Sequence, residues 1–252
     1  MDDLNKMIQK QLEHRTIREF RDESIPVDIF NLLMETAKRT ASSNGMQSCS
    51  IIRITDSDIR KKIADICKQE YVARAPELLI FIVDVYRNAK IAEEKDCLEE
   101  SSGDMDRFFQ GFTDACLTVQ NIVNAAEAMD LGIVYLGSIL NDSEKICEIL
   151  KLPRLTFPVL GLGIGYPNQN PQLKPRMDME LRLFENQYKS FDNYLGEIKE
   201  YDEVMRTYYD LRDANKRVDS FSNQVVQKLE NPNPKRQEIL RVIRKQGFDF
   251  KL

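Results

Sequence analysis

The chain has 252 residues, 42% hydrophobic and 31% charged, a balance that fits a globular protein and excludes disordered and membrane-spanning classes. A net charge of -5 argues against nucleic acid as a partner, because binding a phosphate backbone calls for a basic surplus. One histidine and five scattered cysteines with no C-x-x-C pair exclude a disulfide framework, a cysteine zinc site and two-histidine metal motifs, so an enzyme here would take its hard chemistry from a bound organic cofactor.

The opening MDDLNKMIQK is polar and has no secretory signal, and no apolar run approaches the roughly 18 to 20 residues of a membrane helix. The sequence therefore reads as cytoplasmic, with no membrane partner. HRTIREF follows at 14–20, with the lone histidine, Arg15, Arg18 and the hydroxyl of Thr16. Two readings of it stand: Thr16 and Glu19 have capping-box spacing, which would start a helix with solvated arginines, or the cluster binds a buried anion.

SIPVDIFNLLMETAKR has Pro26 where a first helical turn tolerates it, and Phe30, Leu33, Met34 and Ala37 on one face, which predicts an amphipathic helix. TASSNGMQ is a loop by composition. CSIIRIT predicts a short strand at 49–55, and DSDIRKKIADICK a helix with Ile59, Ile63, Ile66 and Cys67 on one face. ELLIFIVDVY at 77–86 is nearly continuous in apolar residues and predicts a strand buried on both faces.

From about Asp104 to Met129, Phe108, Phe112, Ala115, Val119, Ile122, Val123 and Ala126 predict a central core helix. GIVYLG then suggests a strand, DSEKICEIL a short helix and FPVLGLGIGY another buried strand. GLGIGY invites a dinucleotide-fingerprint reading, but Pro167 and Pro171 stand where the required helix would begin, and strand glycines that permit close packing are preferred. Alternating strands and helices predict α/β or α+β layering around one sheet. The core is expected over 1–170, and 171–252 as a charged helical extension that packs on the core or on a second subunit.

HRTIREF, ASSNGMQ with SIIRITD after it, LGIVYLGSI at 131–139, GYPNQNPQLKPR at 165–176 and YYDLRDANKRVDSFS at 208–222 resemble, in order and spacing, the nitroreductase superfamily. The likeness spans nearly the whole chain and is greatest to the NADPH-dependent, oxygen-insensitive nitroreductase and flavin reductase branch. It implies an α+β fold, a central mixed sheet wrapped by helices, assembled as a homodimer with FMN at the subunit interface. Carried over by position, His14, Arg15, Thr16 and Arg18 would contact FMN, Arg15 on the phosphate side and Arg18 at the N1 and O2 edge. Thr16 replaces a more usual serine and keeps the hydroxyl. Ser42 and Ser43 match a serine loop that reaches the cofactor from the partner subunit, although Asn44 and Gly45 depart from the serine run. Gln69 matches a glutamine facing the pyrimidine, Tyr135, Gly137 and Ser138 the strand end at flavin N5, and Lys174 and Arg176 the basic pair at the phosphate. Arg212 and Arg217 match arginines that bind the 2′-phosphate of NADPH, though arginines on a charged helix are commonly just solvated.

The chemistry of these residues agrees with the resemblance. Arginine offers planar forked donors to phosphate oxygens, and Arg18 at roughly 4 Å would favour negative charge at N1 by about 4 kcal/mol at an effective dielectric near 20. The expected activity carries hydride from NADPH through FMN to a nitroaromatic, quinone or flavin acceptor by a ping-pong cycle. No side chain acts as the catalytic group and no metal takes part. The alternatives are an offshoot that uses reduced FMN for another reaction, and a non-catalytic flavin-binding protein.

Overall fold

The computed structural model describes residues 5–97, 100–208 and 219–249. The chain divides into two compact units: Met1–Asn170 together with Asn233–Leu252, and Pro171–Pro232. The extension expected over 171–252 is thus split, and its last part belongs with the first unit.

The first unit is organised by a four-stranded sheet: β1 (Cys49–Arg53), β2 (Glu77–Asp84), β3 (Gly132–Leu136) and β4 (Thr156–Gly165), in the order β1-β2-β4-β3. All three ladders are antiparallel. The parallel component of the expected mixed sheet is confined, among the described residues, to the isolated bridges Thr16–Ile133 and Asp104–Asp249.

Every residue of β2 is buried, as its continuous apolar run predicts, and its side chains alternate between two cores. Leu79, Phe81 and Val83 face α6 (Met105–Ala128) and Leu33 of α2 (Val27–Lys38). Leu78, Ile80 and Ile82 face Ile63, Ala64 and Cys67 of α3 (Ser57–Cys67), with Ile139 and Ile146. A bulge between Phe81 and Ile82 shifts the register to β4, and on β4 the residues facing the α6 core change from Phe157 and Val159 to Leu162 and Ile164. That parity change is what one inserted residue imposes on a strand. Pro158 lies outside the β3 ladder, which pairs only Gly161–Gly165, and beside the bulge in the β2 ladder, positions where a strand tolerates proline.

The glycines of GLGIGY serve packing, as expected. A Cβ on Gly161 would lie 3.0 Å from Leu136 Cβ, on Gly163 2.9 Å from Val134 Cγ1, and on Gly165 2.6 Å from Pro76 Cγ. No helix follows them, since the next regular element is the short turn Met179–Leu181.

Two further features bear on the expectations, one by deciding between readings and one by adding to the core. HRTIREF starts no helix: a helix, α1 (Lys6–Leu12), ends before it, and Ile17 N donates to Ile133 O at 2.8 Å. The closing residues supply core, because Val242, Ile243 and Phe248 join the α6 side, with Phe248 edge-on to Phe108 at 5.1 Å. The remaining helices of the first unit are α4 (Tyr71–Arg74), α5 (Tyr86–Glu93), α7 (Ser143–Ile149), and α11 (Pro234–Gln237) and α12 (Ile239–Lys245) near its end. The second unit carries α8 (Tyr194–Glu197), α9 (Lys199–Thr207) and α10 (Phe221–Glu230).

Candidate functional site

The bridge from Thr16 to Ile133 lays the 14–20 segment beside the start of β3. Gly132 permits this approach, since a Cβ there would lie 2.8 Å from Ile17 Cβ. His14 Nδ1 lies 2.6 Å from Oε1 of Glu127 on α6, so the carboxylate orients the ring. Arg15 Nη1 donates to Glu13 O at 3.0 Å, whereas its Nε is sealed from solvent and has no partner among the described residues. His14 and Arg15 line a cleft of about 290 Å³ together with Lys10, Glu127, Asp130 and Gln169. Lys10 closes its rim through a 2.5 Å ion pair that holds the Asp130 carboxyl below its usual range. Thr16 and Arg18 are half-buried in the same segment.

β3 delivers the second group. Beyond Leu136 the backbone turns into a 3-10 segment, Gly137–Asp142. Ser138 Oγ donates to Gln69 Oε1 at 2.8 Å, which leaves the Gln69 NH2 as a donor. Gln69 is set there by the end of α3, where Lys68 takes a left-handed φ of 54° and turns the chain. Tyr135 donates its hydroxyl to Gln120 Oε1 at 2.6 Å, and burial pushes its phenol pKa up. A Cβ added at Gly137 would meet nothing within 4 Å. Open space over bare backbone at a strand end suits the close approach of a flat ligand.

Ser42 and Ser43 lie elsewhere on the first unit. Ser42 lines a different cleft, of about 270 Å³, with Met34, Cys49 and Asp114. The Ser43 amide donates to Asp114 Oδ1 at 2.7 Å. Lys174 and Arg176 are exposed in the second unit, where Arg176 Nη1 donates to the Lys174 and Pro175 carbonyls, each at 3.3 Å. Arg212 and Arg217 lie outside the described residues.

The sequence reading overlooked Glu127 and Asp114, the two α6 carboxylates that hold His14 and the serine loop. The one signal available was an acidic residue interrupting an apolar helix face, as in FTDACLTV. Among the described residues no group of three His, Cys, Asp or Glu side chains could hold a metal, and no helix is long and apolar enough to cross a membrane. All five cysteines are free, and burial pushes the Cys49 and Cys147 thiols up to about 12.

Comparison with known proteins matches two family models: the nitroreductase family over residues 12–166, and the nitroreductase family C-terminal domain over residues 174–251. A Salmonella typhimurium protein described as an oxygen-insensitive NADPH nitroreductase is 37% identical over 236 residues, 93% of this chain and 95% of that one. An NADPH-dependent oxidoreductase of Staphylococcus saprophyticus is 35% identical, over 93% and 94% of the two chains. Among solved structures, the NADPH:FMN oxidoreductase from Vibrio harveyi complexed with NAD+ superposes with a TM-score of 0.85 at 32% identity, covering 96% of this chain and 98% of that one. B. megaterium NfrA2 superposes at 0.90 with 28% identity, over 99% and 100% of the two chains. The chain belongs to the nitroreductase family, and the protein is an oxidoreductase.

Proposed function

We propose that the protein is a homodimeric FMN enzyme that oxidises NADPH and reduces a small-molecule acceptor. Arg15 carries this reading. An unsatisfied buried donor costs about 1–3 kcal/mol, and more when charged, so a guanidinium whose Nε is sealed and unpartnered is spent on an anion held in the cleft. The flavin phosphate supplies one. His14, Thr16 and Arg18 extend the contact along the same segment, and the resemblance assigns Lys174 and Arg176 to the phosphate as well. Gln69, held by Ser138, would offer its NH2 to the pyrimidine edge, and the open backbone at Gly137 would admit the ring. Bound FMN would supply the redox chemistry, taking hydride from NADPH and passing reducing equivalents to a nitroaromatic, quinone or flavin acceptor in a ping-pong cycle. Arg18 would favour negative charge at the N1 edge, and the backbone at Gly137 would help hold the flavin, with no side-chain acid or base required. Arg212 and Arg217 give preference for NADPH through its 2′-phosphate. A dimer is favoured because Ser42 lines a different cleft from His14 and Arg15, so one chain does not gather all the assigned ligands in one place.

The test is the visible spectrum of purified protein, recorded anaerobically before and after NADPH. A yellow protein bleached by NADPH and restored by a quinone is the expected result. A colourless protein that takes up no added FMN overturns the reading, and a yellow one that NADPH fails to bleach removes NADPH as the donor.

A further inference from the structure

The loop that carries Ser42 and Ser43 is built on one face of α6. Gly111 and Asp114 stand three residues apart there and therefore share a face. At Gly111 the loop comes so near that a Cβ would lie 2.8 Å from Ser48 O and 2.8 Å from Val83 Cγ1, so only glycine admits it. One turn on, the Asp114 carboxylate, 2% exposed, accepts the Ser43 amide at Oδ1 (2.7 Å) and the Ser48 amide at Oδ2 (3.0 Å). Between those anchored amides the backbone takes three left-handed residues, Asn44 (φ 51°), Gly45 (φ 69°) and Gln47 (φ 50°). Two of the three are not glycine, and such a conformation persists only where its surroundings impose it. Arg87 donates to Gln47 O and Asn88 to Met46 O, gripping the outer side.

Among the described residues no lysine or arginine pairs with Asp114. A carboxylate this deeply buried is compensated by backbone amides alone, and charge-assisted bonds of this kind are roughly twice as strong as neutral ones. We infer that Asp114 is a positioning residue: it fixes the backbone of the 42–48 loop and thereby presents Ser42 and Ser43 to the cofactor. This rests on the proposed assignment of those serines to FMN.

Asp114→Asn keeps size and shape, but a carboxamide offers one acceptor oxygen where two amides need one each, so one of the two N–H groups loses its partner. Two measurements test the inference: amide hydrogen exchange at Ser43 and Ser48 in FMN-free protein, and FMN affinity by fluorescence titration. In Asp114→Asn, exchange at one or both amides should quicken and the FMN Kd rise, each about 10-fold, the scale of one lost charge-assisted bond. Combining Asp114→Asn with Ser42→Ala and Ser43→Ala should weaken FMN no further than the stronger of the two component effects, because all act through one contact. Losses that add overturn the inference, since Asp114 would then act on binding by another route. Unchanged exchange in the variant overturns it, and so does an unchanged FMN Kd in the variant where the wild type binds FMN. A wild type that takes up no FMN overturns the proposed function, and the positioning role with it. Should Asp114→Asn fail to fold, Asp114→Ser, a smaller side chain whose single hydroxyl oxygen cannot accept both amides, carries the same expectations and the same refutations.

Discussion

An arginine whose Nε is buried and has no partner among the described residues favours an anion beside its guanidinium. Arg15→Ala should therefore weaken FMN binding by about 10- to 150-fold, the worth of one hydrogen bond to a charged group at roughly 1.5–3 kcal/mol, while leaving the fold intact. Arg15→Lys should recover only part of the loss, because an ammonium keeps the charge without the planar fork. Fluorescence titration with FMN at low and moderate salt checks both, and unchanged affinity in the alanine variant would remove Arg15 from the site. Arg217→Ala should raise the KM for NADPH about 10-fold and leave NADH kinetics nearly alone, since only NADPH carries the 2′-phosphate. Equal loss with both nucleotides would show support of the shared part instead. Arg15 was legible because basic residues, a hydroxyl and the lone histidine crowd one short stretch. Asp114 and Glu127 were not, because their partners Ser43 and His14 are 71 and 113 residues away in the chain and an acid on an apolar face carries no mark of what it holds.

The elements divide in the same way. β2 and α6 announce themselves, β2 by an unbroken apolar run and α6 by a helical period, and each is buried as its pattern implies. α12 was harder to read: Val242 and Ile243 are buried within a charged stretch whose average conceals them. That helix is tied to the first unit by Glu144 on α7, which Arg241 contacts at 2.6 Å and Lys245 at 2.8 Å. The Arg241 bond first, then the Lys245 bond, pulls the Glu144 carboxyl from its ordinary 4.5 to about 2. A depressed carboxylate contributes stability that is present above its unfolded value and lost as pH falls through the folded one. Glu144→Gln should thus lower the urea midpoint at pH 7, with the gap to wild type closing between about pH 4.5 and about pH 2 and narrowing in high salt. A gap independent of pH would mean that packing, not charge, ties the helix down. Gly165, on β4, and Gly137, just beyond β3, make a contrasting pair. Gly165→Ala forces a Cβ to within 2.6 Å of the rigid Pro76 ring and should cost about 1–3 kcal/mol of stability, as overpacking does. Gly137→Ala meets nothing and should leave the melting temperature alone while weakening FMN binding. Thermal melts and titrations of both variants decide; a Gly137→Ala protein that binds FMN normally removes the close backbone approach from the site.

For the whole molecule, a cofactor shared between two chains would make folding, assembly and FMN retention one equilibrium. The melting temperature and the bound flavin should then both fall on dilution. Light scattering combined with absorbance tests this, and a monomer that keeps its full flavin content would exclude the shared site. The helical layering and the core of the first unit followed from periodicity along the chain. Which distant segments meet did not, because the pairing of Thr16 with Ile133 and of Phe248 with Phe108 leaves no local signature.

That last pairing bears on how the protein is made. The first unit is discontinuous: the chain leaves it after Asn170 and re-enters at Asn233. Val242, Ile243 and Phe248, all within its core, leave the ribosome only after the whole of Pro171–Pro232. Until then Phe108 and its neighbours on α6 lack their covering residues, and the nascent chain presents an apolar gap to solvent and to chaperones. Domain-by-domain folding during synthesis is therefore closed to this protein: its first unit reaches completion only after its second has been translated.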